Sequence, residues 1–184
     1  GYGFEKKPIP HKELIYKILL ATMMIPGQVT LVPLFLIIRE MNWLNTYSAL
    51  VIPMAGAFGV MMMRSFMKSV PDVLIEAAQI DGCSEFYIFC KVVLPLVKPA
   101  TISLTIFTFV SSWNNYFTPA LILHTDRKKT LPILIAQLRS TDWLKFDMGQ
   151  VYAMIVFSIL PIIVIYMILS KHIVQGVAMG SVKG

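Results

Sequence analysis

Charged residues are scarce in this sequence. Lysine, arginine, aspartate and glutamate make up 14% of its 184 residues, whereas hydrophobic residues make up 57%. Soluble domains carry about 25% charged residues, so the composition argues against a soluble fold and favours a chain surrounded by membrane lipid. The net charge of +6 comes from basic residues that flank apolar runs, and nucleic-acid binding is therefore not expected.

Acidic residues are absent from four long apolar stretches, each close to the roughly 20 residues that a membrane-spanning helix needs. These stretches, named spans A to D, are residues 14–38, 47–63, 100–123 and 151–169. An isolated span must satisfy its own backbone hydrogen bonds. The sequence therefore predicts an all-α membrane protein, a polytopic bundle of four transmembrane helices in which residues 1–184 form one transmembrane domain.

Further absences narrow the function. The sequence has no phosphate-binding glycine loop and no paired carboxylates within the spans, and Cys83 and Cys90 lack companions at zinc-site spacing. We therefore expect no catalytic residue, metal or cofactor in this chain. Proton-coupled carriers commonly hold an ionisable group near mid-membrane, and none is found here. An ion- or proton-coupled secondary transporter or channel subunit remains the alternative, since these proteins also use broken helices and polar stripes.

Basic residues predict the orientation. Ten of the 16 fall on the side that holds the N-terminal segment, the loop between spans B and C, and the C-terminus. Because an excess of basic residues marks the cytoplasmic side, the C-terminus and this loop are expected in the cytoplasm, where Cys83 and Cys90 would stay reduced. Span A contains Pro26, Gly27 and Pro33, which predict a kinked helix.

The loop between spans B and C, residues 69–95, is too apolar for a disordered linker and too charged for a span. Pro71 and Asp72 suit the first turn of a helix, and Gly82 suits its left-handed end. Ser84 is expected to cap a second helix, which Pro95 and Pro99 would break. The predicted apolar stripes are Val73, Ala77 and Ile80 on the first helix, and Phe86, Phe89, Cys90 and Val93 on the second.

The first of these helices is acidic rather than basic. It carries Asp72, Glu76 and Asp81 and no lysine or arginine. An interfacial helix seated on anionic lipid has a basic polar face. A protein partner with a groove and a cationic group is therefore the better explanation for this helix.

An ordered series of motifs resembles one protein family. EAAQIDG at residues 76–82, followed by Leu94 and Pro95, looks like the EAA loop of the permease subunits of bacterial ABC importers. The chain also contains GYGF, MIPGQVTLVPLF, LNTY, IFTFVSSWNNY, TLPI and GSVKG. This series resembles the carbohydrate branch of the family, the maltose and glycerol-phosphate type. In that family two further helices lie upstream of GYGF, so we expect the chain to be N-terminally truncated.

The resemblance implies a function for the loop and a set of partners. In that family the EAA loop is a coupling helix that docks in a cleft of a separate cytosolic ATPase, which binds ATP and magnesium and drives alternating access. A second permease subunit, expected to be a different chain, and an extracytoplasmic solute-binding protein complete the importer in the bacterial inner membrane. Carried over to this sequence, the docking positions are Glu76, Ala77, Ala78, Asp81 and Gly82.

Span C carries a polar stripe that includes Thr101 and leads into SSWNNYF. Interhelical hydrogen bonding explains the inner half of the stripe equally well. In the outer half, amides and flat rings gather, which suits a sugar; an aromatic belt would explain the rings but not two adjacent asparagines. The candidate residues of the solute path are Thr105, Thr108, Ser112, Trp113, Asn114, Asn115, Tyr116 and Gln28. In the predicted outer loop, residues 124–150, Thr130 is expected to cap a short helix with Pro132 in its first turn.

Overall fold

The computed structural model describes residues 1–140 and 147–181, with side chains for residues 1–138 and 147–168. Every regular element in these ranges is helical, as the sequence predicts. In chain order the α-helices are α1 (Tyr2–Lys6), α2 (Lys12–Thr22), α3 (Gly27–Glu40), α4 (Ser48–Val51), α5 (Ala57–Met67), α6 (Asp72–Ile80), α7 (Glu85–Ile88), α8 (Leu94–Leu96), α9 (Lys98–Trp113), α10 (Phe117–Ile122), α11 (Leu131–Ser140) and α12 (Met148–Ser181). Residues 141–146 of the predicted outer loop and residues 182–184 of the GSVKG motif lie outside the described residues.

One described helix is long and apolar enough to cross a membrane without a break, over Met148–Ile168 in α12. Three other candidates are interrupted pairs, namely Lys12–Thr22 with Gly27–Glu40, Ser48–Met54 with Ala57–Met67, and Glu85–Leu96 with Lys98–Trp113. By length and composition the described residues thus contain one to four spans. The expected four-helix count stays a prediction.

Span A is broken rather than merely kinked. α2 ends at Thr22, and α3 begins only at Gly27. Pro26, immediately before α3, has an extended backbone with ψ 133°, and a proline disfavours helical geometry in the residue that precedes it. The expected single helix over residues 14–38 is therefore corrected to two helices. Pro33 is accommodated inside α3.

Spans B and C also differ from their predicted bounds. Span B consists of α4, a 3₁₀ turn at Ile52–Met54, and α5, which continues to Met67. The helix of span C stops at Trp113 and restarts at Phe117. The Asn115 side-chain oxygen accepts the Thr118 N–H at 3.3 Å, and such local hydrogen bonding competes with a continuous helix. The predicted helix over residues 100–123 is wrong on this point.

Both helices predicted in residues 69–95 are present, but Pro95 does not break the second one. After α7, the chain forms a π turn at Phe89–Val93 and then α8, which contains Pro95. A proline lacks an N–H and crowds the carbonyl one turn earlier, and the wider π turn directly precedes it. The break falls at Val97 instead, where the backbone leaves helical geometry (φ −95°, ψ 11°).

Contacts between residues divide the chain into two compact units. Unit 1 consists of Gly1–Ile25, Gly56–Thr105 and the described part of Leu169–Gly184, and unit 2 consists of Pro26–Ala55 and Ile106–Ile168. The buried core of unit 1 joins the end of α5 to the loop: Met67, Val70, Ile75, Ile88, Val93, Val97 and Ala100. The buried core of unit 2 joins α3, α4 and α10: Ile38, Ala49, Ile122 and Leu123.

Candidate docking loop and candidate solute cleft

The ends of α6, which carries the EAA residues, follow from local rules. Gly82 has φ 76°, a left-handed value. Its N–H donates to the Gln79 carbonyl, and the Cys83 N–H donates to the Ala78 carbonyl, both at 3.0 Å. These paired bonds form a Schellman motif, which ends a helix and turns the chain sharply. The prediction that Gly82 ends this helix in a left-handed conformation is confirmed.

The apolar stripe of α6 faces away from the rest of the chain. Val73 is 71% exposed and Ile80 is 87% exposed, and Ala77 between them is exposed as well. On the opposite side, Ile75 is buried and Ala78 packs against the core of unit 1. Packing on one side thus presents the stripe on the other. We name Val73, Glu76, Ala77 and Ile80 the α6 face.

The acidic groups of this helix are available to a partner. Glu76 and Asp81 are exposed, and neither side chain makes an ion pair or hydrogen bond to any residue that the structure describes. Asp72 differs, because its Oδ1 accepts a hydrogen bond from the Lys6 Nζ at 2.7 Å. Of the three acidic side chains, Asp72 is paired, whereas Glu76 and Asp81 are exposed without a partner among the described residues.

The second helix begins as predicted but buries a different face. The Ser84 hydroxyl oxygen accepts the Tyr87 N–H at 3.3 Å, which confirms the cap. Of the predicted apolar stripe, Phe86 is 77% exposed and Val93 is buried, and Ile88, which lies outside that stripe, is buried as well. A π turn brings residues five apart onto one side, so Ile88 aligns with Val93 and the predicted 3.6-residue spacing fails. Cys83 and Cys90 are free and half-buried.

The N-terminal segment holds the loop in place. Lys6 donates to both the Asp72 carboxylate at 2.7 Å and the Val70 carbonyl at 2.6 Å. The Tyr2 ring lies 5.3 Å from the Phe89 ring between centroids. α1 therefore contacts the loop through an ion pair at the start of α6 and through an aromatic contact that lies after α6 in the chain.

Glu85 gathers three further contacts at this place. Its carboxylate pairs with Lys7 and accepts hydrogen bonds from Tyr2 at 3.3 Å and Gln79 at 3.2 Å. The hydrogen bond from Lys7 is the main reason that the pKa of Glu85 lies below its ordinary value. The stabilising contribution of the Lys7–Glu85 pair is thus present at neutral pH and is lost as pH falls through the lowered pKa of Glu85. Because the carboxylate is exposed, we expect that contribution to be small.

In unit 2, an open cleft of about 340 Å³ brings together three of the candidate path residues. It is lined by Trp113, Asn114, Tyr116, Pro132, Ile135, Ala136 and Ser158. The first three lie at and just after the end of α9, the next three belong to α11, and Ser158 belongs to α12. The cleft joins aromatic rings, an amide and small side chains, which is a lining suited to a polar solute with apolar faces.

Two aromatic side chains give the cleft a defined wall. The Trp113 indole N–H donates to the Ser158 carbonyl at 2.9 Å, and its ring stacks on Phe109 with centroids 5.5 Å apart. Tyr116 is exposed and meets Phe117 edge-on. Trp113 is thus fixed by two contacts, whereas Tyr116 offers ring surface to a ligand.

The two asparagines have different roles. The Asn114 amide nitrogen donates to the Val110 carbonyl at 2.9 Å, while its amide oxygen accepts nothing from the described residues. Asn115 instead holds the first turn of α10 through Thr118 and does not line the cleft. Asn114 is therefore the asparagine that lines the cleft, and Asn115 caps the first turn of α10.

The remaining path candidates lie outside the cleft. The Thr105 hydroxyl donates to the Thr101 carbonyl of its own helix at 2.8 Å, and Ser112 contacts the Met54 sulfur at 3.7 Å. Thr108 is half-buried, and Gln28 is exposed in the first turn of α3. The structure therefore does not bring these four residues together with the cleft, and their place in a path stays a prediction.

The short helix predicted over TLPILIAQLR is confirmed as α11, but sequence reasoning did not place its residues in the wall of the cleft. The Thr130 hydroxyl oxygen, expected to cap α11, has no hydrogen-bond partner among the described residues, so the expected cap is wrong. Asn45 of the LNTY motif was also missed as an organiser. It has φ 59°, and its side chain bonds Thr125 and accepts the His124 and Thr125 N–H groups. Only its left-handed tendency as an asparagine was visible beforehand.

A buried arginine was also missed. Arg64 is only 7% exposed and pairs with Glu5 and Glu13. Its sole signal in the sequence is a charge next to a long apolar run. In the part of the chain that the structure describes, no group of three His, Cys, Asp or Glu side chains is placed to hold a metal ion.

Comparison with known proteins gives consistent matches. Residues 8–179 match the family model described as "Binding-protein-dependent transport system inner membrane component". Similar curated relatives include the arabinooligosaccharides transport system permease protein AraQ of Bacillus subtilis (strain 168), at 32% identity over 185 residues, and the lactose transport system permease protein LacG of Rhizobium radiobacter, at 31% over 184 residues. Both alignments cover 100% of this chain, which spans only 65% of the first relative and 66% of the second.

A solved structure agrees with these relatives. The chain is similar to part of a bacterial ABC transporter involved in the import of the acidic polysaccharide alginate, with a TM-score of 0.80 and 28% identity. The match covers 92% of this chain and 65% of that one. The helical membrane fold is thus shared with an importer subunit.

Proposed function

The chain belongs to the family of binding-protein-dependent transport system inner membrane components, and from this premise we propose that it is part of the permease subunit of an ATP-binding-cassette importer for a sugar or related solute. A member of this family is a membrane-embedded transport component and not itself an enzyme. ATP hydrolysis therefore belongs to a partner subunit. The secondary-transporter and channel alternatives are set aside, because the matches fall on importer components.

The observation that carries the proposal is the α6 face. Its apolar residues are exposed while the rest of α6 packs on unit 1, and Glu76 beside them has no partner among the described residues. A helix that offers i, i+4 and i+7 apolar positions fits a hydrophobic groove. An ATPase cleft with a cationic side chain near Glu76 would receive this face.

The solute class is supported by the relatives and by the cleft. AraQ and LacG are permease proteins for arabinooligosaccharides and lactose. In the cleft, the Tyr116 ring offers a flat apolar surface and the Asn114 amide oxygen offers a hydrogen-bond acceptor. A pyranose ring has one apolar face and a rim of hydroxyl groups, so both features suit an oligosaccharide.

The remaining partners follow from the proposed class. They are a second permease subunit, expected to be a different chain, and an extracytoplasmic solute-binding protein. In the proposed topology α6 and the C-terminus face the cytoplasm and α11 faces outward.

The proposal is tested by reconstituting the full-length permease with a candidate ATPase, second permease and binding protein from the same organism. Proteoliposomes are supplied with ATP and a panel of labelled sugars, beginning with lactose and arabinotriose. We expect accumulation of at least one sugar only when ATP and the binding protein are both present. Accumulation driven by an ion gradient without ATP would contradict the importer class.

At Gly82, we expect valine to weaken ATPase association and asparagine to preserve it. A Cβ built at Gly82 meets no heavy atom within 4 Å, so crowding inside the chain is not the reason. A left-handed backbone costs an L-residue about 1–2 kcal/mol, and asparagine tolerates it better than a β-branched residue. Association is measured by co-purification with the ATPase. Equal yields from Gly82→Val and Gly82→Asn would show that the turn does not position the α6 face.

The two asparagines are expected to respond differently to substitution. Asn114→Leu should raise the KM for import about threefold to tenfold, because one neutral hydrogen bond is worth about 0.5–1.5 kcal/mol. Asn115→Ala should instead lower thermal stability with little change in KM, because it removes a helix cap. Import kinetics and a thermal unfolding curve distinguish these results. An unchanged KM for Asn114→Leu would remove this residue from the solute site.

A further inference from the structure

One arginine joins three helices of unit 1. Arg64, near the end of α5, has its Nε 2.9 Å from a Glu5 carboxylate oxygen on α1 and its Nη2 2.5 Å from a Glu13 carboxylate oxygen on α2. Its guanidinium carbon also lies 4.0 Å from the centre of the Tyr16 ring on α2. The planar fork thus serves two carboxylates and one aromatic face at once, a geometry that the point charge of lysine cannot reproduce.

The same α1 is bonded to the candidate docking loop. Lys6 holds Asp72 at the first residue of α6, and Lys7 pairs with Glu85 at the start of α7. The loop is therefore attached to the rest of unit 1 in two ways. It continues covalently from α5 through Val70, and it is bonded laterally to α1.

Arg64 closes these attachments into a ring. α5 leads to α6 along the chain, α6 contacts α1 through Lys6, and α1 returns to α5 through Glu5 and Arg64. The bonds to Glu13 and Tyr16 add α2 to this ring. Loss of Arg64 would remove the ionic link from α5 to both α1 and α2, while the residues of the α6 face and of the core beneath it would be unchanged.

We propose that Arg64 is a positioning residue for energy coupling, which makes α2 move together with α5 when a partner displaces the α6 face. The inference rests on the proposed function, since the displacement is that of an ATPase. It goes beyond that function by assigning transmission to one side chain that belongs neither to the α6 face nor to the lining of the cleft. A buried charge is costly unless it is paired, so a residue needed only for packing would be served by an apolar side chain.

The test compares Arg64→Met with Lys68→Met in the complete reconstituted importer, using the labelled sugar from the panel above that the parent accumulates. Lys68 lies one helical turn later and is exposed, so it is a matched control for losing a cation. For Arg64→Met we expect normal co-purification of the ATPase and sustained ATP hydrolysis. The amount of sugar imported per ATP should fall by at least about fivefold, which is the lower limit of typical coupling between sites. Lys68→Met should keep the parent ratio.

Two outcomes would overturn the inference. One is a parent-like import-to-ATP ratio in Arg64→Met; the other, decisive if that variant does not assemble, is a parent-like ratio in Glu13→Gln, which removes one partner of Arg64 at an exposed position. Arg64→Lys should show an intermediate ratio because it keeps the charge without the fork. Failure of the proposed function is distinct, because the parent itself would then show no ATP-dependent accumulation.

Discussion

Ile80→Asp is expected to abolish association with the ATPase while leaving the protein folded and inserted. Ile80 is 87% exposed in the chain alone, so it contributes little to the internal core. Once docked, its burial would stabilise the complex by about 1.5–3 kcal/mol, and a carboxylate in the same groove would be an unpaired buried charge that costs about 3–5 kcal/mol. Since 1.4 kcal/mol is a tenfold change, we expect binding to weaken by at least about a hundredfold.

The measurement is titration of the purified permease complex with the ATPase, followed by light scattering or by stimulated hydrolysis. Ile80→Leu is the matched control, because it keeps an apolar side chain of equal size and should bind as the parent does. Glu76→Lys provides an independent arm, since it reverses the unpaired charge of the α6 face without changing its apolar residues. Parent-like affinity in both Ile80→Asp and Glu76→Lys would show that the ATPase does not bind this face.

The residues that sequence reasoning placed correctly obey short-range rules. Gly82 ends α6 and Ser84 caps α7 because each depends only on neighbours within four residues. The periodicity of Val73, Ala77 and Ile80 also identified a shared face. It did not reveal whether that face packs inside the chain or points outward, because hydrophobic spacing is the same in both cases. Only Ile75, buried on the other side, resolves this.

The features that were missed depend on long-range contacts or on backbone breaks. Arg64 meets its carboxylate partners 51 and 59 positions away, and no local pattern pairs charges over such distances. The interruption after Trp113 divides the predicted stripe, so Asn115 turns from a path residue into a helix cap. The wall that α11 contributes to the cleft is likewise invisible in a hydropathy pattern, since its residues are ordinary apolar ones.

The α6 face and the cleft differ in what builds them, because the first depends on short-range rules and the second on long-range contacts. The α6 face is built by one helix and its caps, so local sequence suffices to find its stripe, although only the structure shows that the stripe is exposed. The cleft is built by the end of α9 together with residues of α11 and α12, and only the fold brings these three helices together. The proposed docking face is therefore the region that sequence predicts better, and the proposed solute cleft is the region that requires the structure.

The second large effect is expected at Ala136, which lines the cleft from α11. Ala136→Trp should fill much of the cleft of about 340 Å³ and exclude a sugar ring from the surface of Tyr116. We expect import to fall about tenfold or more, equivalent to at least about 1.4 kcal/mol of lost binding or transition-state stabilisation. Association with the ATPase should not change, because the substitution leaves every residue of the α6 face unchanged.

A size series gives this prediction its control. Ala136→Ser adds one atom and should import as the parent does, Ala136→Leu should be intermediate, and Ala136→Trp should be the least active. Tyr116→Phe should retain import because the ring face remains, whereas Tyr116→Ala should lose it because the flat contact surface is gone. Initial rates of uptake across the series provide the measurement. Rates that do not depend on the size of residue 136 would mean that the solute passes elsewhere, and the cleft would then be a packing defect between α9, α11 and α12.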